Sequence, residues 1–279
     1  MQPMYRTMRL MRRSIVFLLL AAAAVCMLFP FFWMISSSLK LRSDIFAMPP
    51  VWFPKTPHAE NYVQLFTQYR FGSVLLNSVG TAFAVTAGGL LFSAMAGFAF
   101  AKYRFRFGGV LFAIVLATLM IPMETGMVPL FLIYKKLGLI DRLIGVVLPR
   151  LASGFGIFFM RQYCSSIQNQ LLDAARIDGC TEYRLFVSVV LPVLRPALAS
   201  LGIIFFIEEW NNFLWPTVIL RSPDNLTIAV AIRSLEAGVR TPYQLIMSGS
   251  VISIVPMLLF ILFFQKQLTA GLIDGAVKG

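Results

Sequence analysis

The chain has 279 residues, of which 58% are hydrophobic and only 13% charged, and a mean hydropathy of +0.79. Soluble domains carry about 25% charged residues, so this composition excludes one and calls for an integral membrane protein. The net charge of +12 does not argue for nucleic acid, because the basic residues are spread over short loops rather than gathered on one face. Loops facing an anionic membrane surface account for them.

In chain order, Arg6, Arg9, Arg12 and Arg13 form a basic N-terminal segment, residues 1–13, ahead of an apolar run from Ile15 to Ile35. A signal peptide would end near the small residues around Ala24. This run continues through Phe32 and Trp33 and is long enough to cross a bilayer, so it reads as an uncleaved first span, 15–35. Residues 37–73 are polar and rich in proline, with Glu60, Asn61 and Tyr62, and suit an extracytoplasmic loop carrying short interfacial helices.

The second span, 75–101, repeats small residues at i+4, Gly80, Ala84 and Gly88 in one row and Gly89, Ser93 and Gly97 in another. In lipid, such rows let neighbouring helices approach closely. Lys102, Arg104 and Arg106 crowd the short loop that follows, a marker of the cytoplasmic side. The third span, 108–133, is interrupted by Pro122 and Pro129 with Glu124 between them, and a loop with Lys135, Lys136, Asp141 and Arg142 leads to the fourth, 143–160. After a polar stretch come the fifth, 197–215, the sixth, 246–264, and a tail, 265–279. Residues 14–264 thus read as a six-span, all-α domain.

The polar stretch, 171–192, predicts a helix–turn–helix knob. Leu171, Leu172 and Ala175 share one helix face, and Gly179 directly after the last periodic residue supplies the positive φ that ends a helix. Thr181 can cap a second helix with Leu185, Phe186, Val189 and Val190 on one face, and Pro192 closes it.

The spacing Asp173-Ala174-Ala175, Gly179, Val189, Leu191-Pro192 resembles the EAA loop of bacterial ABC-importer membrane subunits. The runs Phe159-Met160-Arg161-Gln162, Glu209-Trp210-Asn211-Asn212-Phe213-Leu214-Trp215-Pro216 and the ending from Gly271 to Gly279 are similar to the maltose-type carbohydrate permeases. The family usually has Glu where this chain has Asp173, and Pro and Glu where it has Gln168 and Gln170. The resemblance implies that Asp173, Ala174, Ala175, Asp178, Gly179, Leu191 and Pro192 couple the spans to an ATPase, and that Gly271, Leu272, Gly275 and Lys278 reach it through the tail. It further implies a second homologous permease, two ATPase subunits holding ATP and Mg, an extracytoplasmic binding protein delivering a carbohydrate, and a bacterial inner-membrane location with both termini cytoplasmic. Lys and Arg divide almost evenly between the two sides of this topology. The dense 102–106 loop and the knob therefore set the orientation.

No GxxxxGK[ST] sequence occurs, so the chain is not itself expected to hydrolyse ATP. Three cysteines and one histidine give no disulfide framework, metal-ligand spacing or cofactor site. The remaining polar signal is Glu208, Glu209, Trp210, Asn211 and Asn212 inside the fifth span. A carboxylate facing lipid there costs about 2.5–3.5 kcal/mol. These residues, with Glu124, read either as a translocation path, Trp210 stacking on sugar and the amides bonding hydroxyls, or as an interhelical network. An intramembrane enzyme using the Glu pair is disfavoured because adjacent helical residues point about 100° apart. A secondary transporter or channel would need no knob and commonly shows inverted repeats with broken helices, which the sequence does not display.

Overall fold

The computed structural model describes residues 2–237 and 241–276, with side chains for 13–236 and 241–265, and every regular element among them is a helix. In order these are α1 (Gln2–Ser38), α2 (Arg42–Ile45), α3 (Glu60–Thr67), α4 (Phe71–Lys102), α5 (Gly108–Thr118), α6 (Met123–Lys136), α7 (Leu143–Arg150), α8 (Gly154–Ser165), α9 (Asn169–Ile177), α10 (Glu182–Val193), α11 (Arg195–Trp210), α12 (Leu214–Ile219), α13 (Ile228–Ser234) and α14 (Tyr243–Ala276). Arg13–Ser38, Phe71–Lys102 and Tyr243–Gln265 are each long and apolar enough to cross a membrane. Three bent pairs, α5 with α6 at 102°, α7 with α8 at 44° and α10 with α11 at 79°, bring the count to as many as six if each pair is one span. The protein is an all-α polytopic membrane protein.

Four sequence expectations change. Pro122 breaks the third span as foreseen, standing as the N-cap of α6, but Pro129 lies inside that helix without interrupting it. The fifth span ends at Trp210 rather than 215, because Asn211 and Asn212 turn the chain: the Asn211 amide bonds the Ile207 carbonyl at 2.8 Å, and the Asn212 N–H bonds Glu209 at 3.0 Å. Pro192 does not close α10. Lacking an N–H and crowding the preceding turn, it goes with a π-turn at Phe186–Val190, where the Leu191 N–H reaches back to Phe186, and the helix runs on to Val193. Finally, broken helices are present, so their supposed absence no longer argues against a secondary transporter.

Contacts divide the chain into two units. The first takes residues up to Tyr69 and Ile232–Ile254. Its apolar helix Arg13–Ser38 has none of its most apolar window buried, while its C-terminal end is tied down. The Asn61 amide bonds the carbonyls of Ser38 at 2.9 Å and Lys40 at 3.1 Å, the Ser38 hydroxyl meets Tyr62 at 2.7 Å, and Ser248 bonds the Ser38 carbonyl at 3.0 Å. Lys40 is fully buried with its ammonium 4.3 Å over the Trp33 ring. Burial holds its pKa below the ordinary value, partly offset by Asp44.

The second unit, Arg70–Ala231 with the chain from Val255, is built on α4. A Cβ at Gly97 would stand 2.7 Å from the Arg161 nitrogen and from the Met160 Cβ, and one at Gly89 would stand 2.9 Å from Phe205. The 89/93/97 row is therefore the face on which α8 and α11 seat. Gly80 has nothing within 4 Å and has no such role. Buried Ala94, Phe98, Met160, Cys164, Leu172, Leu185, Val190, Leu201 and Phe205 form one cluster running from the spans into the knob. At the other end, Trp215 is buried with Tyr134, Val146 and Ile219, and its indole N–H bonds the Gly145 carbonyl at 2.9 Å.

The tail continues α14 as helix to Ala276. Gly271 and Gly275 cost it only about 1 kcal/mol each, and no proline follows Pro256.

Candidate functional site

The knob begins with α9, whose end carries both bonds of a Schellman closure: the Gly179 N–H meets the Arg176 carbonyl and the Cys180 N–H the Ala175 carbonyl, each at 3.0 Å. Gly179 has φ +82° and open space around a Cβ, so its requirement is purely conformational. Thr181 caps α10 as foreseen, its hydroxyl accepting from the Arg184 N–H at 3.3 Å. Leu172, Leu185 and Val190 are buried, each contributing about 1.5–3 kcal/mol where the knob meets water.

Its polar side is cross-braced. Arg176 donates to Asp173 Oδ1 at 3.0 Å and to Glu182 at 2.9 and 3.4 Å, while the Tyr103 hydroxyl, just past α4, donates to the same carboxylate. The Lys102 ammonium bonds the Ile167 carbonyl at 2.5 Å and Asn169 Oδ1 at 3.1 Å. Glu182 is held below its usual carboxylate value by Arg176 and then Tyr103, and Arg176 is raised above its own, first by Glu182. Burial, and then Glu182, push the Tyr103 phenol up.

Asp173, Ala174, Asp178, Gly179 and Pro192 are exposed, Ala175 and Leu191 half-buried. Two bare apolar side chains stand beside them, Ile177 at 87% and Tyr183 at 80% exposure. Sequence reasoning missed this pair; its signal was an isoleucine off the buried stripe of α9. Also missed was the brace from Lys102 and Tyr103, since sequence spacing does not relate residues some 70 positions apart.

In the spans, Arg150 at the end of α7 meets both carboxylates of α11, Glu208 at 2.9 Å and Glu209 at 3.5 Å. The Glu209 side chain is 1% exposed and that of Glu208 51%. The Asn212 amide bonds Glu209 at 3.0 Å. Trp210 is buried, with Phe206 lying 6.0 Å away and nearly parallel, and Asn211 bonds its own helix. One guanidinium thus gathers two side chains that the 100° spacing was expected to keep apart. The signal in the sequence was Arg150 itself, since a lone cation inside the fourth span, 143–160, requires a counter-charge. Glu124 stands exposed in the first turn of α6, apart from this network. Gly271, Leu272 and Gly275 lie in α14 with side chains outside the described residues, and Lys278 lies wholly outside them.

Asp141 organises the connection after α6. With φ +57° it accepts from the Arg221 and Ser222 N–H groups at 2.9 Å each and from the Ser222 hydroxyl, while Asn225 bonds its carbonyl at 2.6 Å. Burial alone would raise its pKa; the donors outweigh it and hold the carboxyl at about 2.

Three long apolar helices, up to six spans with the bent pairs, and a braced helical knob with a bare tip define a polytopic membrane protein. Residues 89–273 match the model of the binding-protein-dependent transport system inner membrane component, and the chain belongs to that family. It is 37% identical over 262 residues to the arabinooligosaccharides transport system permease protein of Halalkalibacterium halodurans, covering 93% of this chain and 94% of that one. It is 34% identical over 259 residues to the lactose transport system permease protein of Rhizobium radiobacter, with the same coverage. In fold it superposes with TM-score 0.81 and 24% identity on a chain of a bacterial ABC transporter that imports alginate, covering 92% of this chain and 96% of that one.

Proposed function

We propose that this chain is one membrane-spanning subunit of an ATP-driven importer for a carbohydrate delivered by an extracytoplasmic binding protein. The observation that carries this reading is end-to-end similarity to oligosaccharide and disaccharide permeases, knob included. The chain works beside a second homologous permease on two ATPase subunits that hold ATP and Mg. The bare Ile177 and Tyr183 at the knob tip, next to Asp173, Ala174, Asp178 and Gly179, enter the ATPase surface, and the tail from Gly271 reaches it too. Both termini are cytoplasmic. The rival reading, a secondary transporter or channel, has no relative among these matches to favour it.

In this scheme the Arg150–Glu208–Glu209–Asn212 network clamps α11 to α7 rather than holding sugar. Trp210 is packed against Phe206 and each asparagine amide already makes one bond, which leaves Glu208 and the exposed Asn211 as the groups of this set open toward a path.

The test is affinity purification of the tagged chain with its neighbouring transport subunits, followed by reconstitution. ATPase subunits should co-purify, and uptake of arabinooligosaccharides or lactose should require both ATP and the loaded binding protein. Uptake that proceeds without ATP would overturn the proposal.

A further inference from the structure

The short loop between α4 and α5 carries cations that the fold leaves unpaired. Lys102 is engaged by the chain's own oxygens, and Glu182, the carboxylate that Tyr103 of this loop bonds, is already matched by Arg176. Arg104 and Arg161 form no ion pair among the described residues. The Arg161 guanidinium lies 3.9 Å over the Phe112 ring with its Nε donating to the Phe100 carbonyl at 3.4 Å. Ring and carbonyl fix its plane and leave the two terminal nitrogens without an acceptor among the described residues.

Both arginines line one half-open cavity of about 270 Å³, walled by Phe100, Phe105 and Phe112 and by the Gly108-Gly109 backbone at the uncapped start of α5. At about 30 Å³ per water, the space holds roughly nine waters, enough for a phosphodiester and the glycerol beside it. Arginine's rigid fork of donors matches phosphate oxygens. Beside the opening, Phe107, Val110 and Leu111 are exposed apolar side chains at the start of a membrane-crossing pair, a surface suited to acyl chains.

We propose that this cavity binds the phosphate of an anionic phospholipid, anchoring the α4–α5 connection to the membrane surface directly behind the knob. The apolar neighbours favour a lipid over a free phosphate as the source, and the inference does not depend on the cargo.

Native mass spectrometry of the full-length chain in its complex tests this, with phosphatidylglycerol, diacylglycerol and inorganic phosphate as probes. The wild type should retain phosphatidylglycerol and not diacylglycerol. Arg104→Gln should weaken retention about fivefold and Arg104→Gln/Arg161→Gln about 25-fold, at the contribution usual for each cation near an anionic surface. Arg104 sits in an exposed loop, so its single variant reports on the site even where Arg161 also supports packing. Equal retention by wild type and Arg104→Gln overturns the site. Displacement of the lipid by millimolar inorganic phosphate overturns the lipid assignment in favour of the free ion.

Discussion

The Arg176 guanidinium holds the Glu182 carboxylate at 2.9 Å across the turn made by Gly179, so the two knob helices are joined on their polar side as well as through their core. An exposed pair of this kind contributes at most about 1 kcal/mol to stability. Arg176→Gln should therefore leave thermal stability nearly unchanged while lowering transport-coupled ATPase activity severalfold, because it frees the angle between the helices. Wild-type rates of sugar uptake and of coupled ATP hydrolysis in the variant would remove the brace from the coupling mechanism.

Gly179→Val should abolish uptake with the spans still inserted, since a β-branched residue at φ +82° is strained by more than about 1 kcal/mol. Gly179→Asn should retain a substantial fraction, because asparagine tolerates this conformation and nothing within 4 Å obstructs its Cβ. Equal loss in both variants would show that side-chain bulk at the partner surface, not φ, is the constraint. Uptake and ATPase co-purification read the difference.

Arg150→Ala leaves the Glu209 carboxylate buried without its counter-charge and should cost about 3–5 kcal/mol, seen as a fall in the melting temperature of the purified complex. Adding Glu209→Gln should recover much of that loss. A single variant that melts with the wild type would mean that the clamp contributes nothing.

Asp141 has a depressed folded pKa of about 2, so its stabilisation is present above the ordinary carboxylate value near pH 4 and is lost as pH falls through about 2. Asp141→Asn keeps the turn conformation and an acceptor but loses the charge. It should lower stability by about 1–2 kcal/mol at pH 7, with the deficit relative to wild type vanishing toward pH 2. A deficit that persists unchanged in acid would assign the loss to packing.

Local signals carried much of the fold. Gly179 and Thr181 specify their turn and cap through backbone preferences that act within four residues, and the 89/93/97 row could be read because small residues at i+4 share one helix face. Helix breaks were harder, since Pro122 and Pro129 look alike in sequence, yet the first stands at the N-cap of α6 and the second is carried inside that helix. The charged networks were illegible for a different reason. Arg150 and Glu208 lie 58 positions apart, and Tyr103 and Glu182 lie 79 apart. Local periodicity does not reach across such separations.

Because Gly97 seats α4 so close to α8 that a Cβ there would collide with the backbone at Met160 and Arg161, and because the apolar cluster there continues unbroken into the knob, that crossing acts as a fulcrum close to one end of a long lever. From Gly97 back to Phe71, α4 extends about 39 Å at 1.5 Å per residue. A rocking of about 5° at the knob end therefore sweeps the far end of the helix through about 3 Å, so a small push by a partner becomes a displacement wider than a water molecule at the opposite face of the membrane.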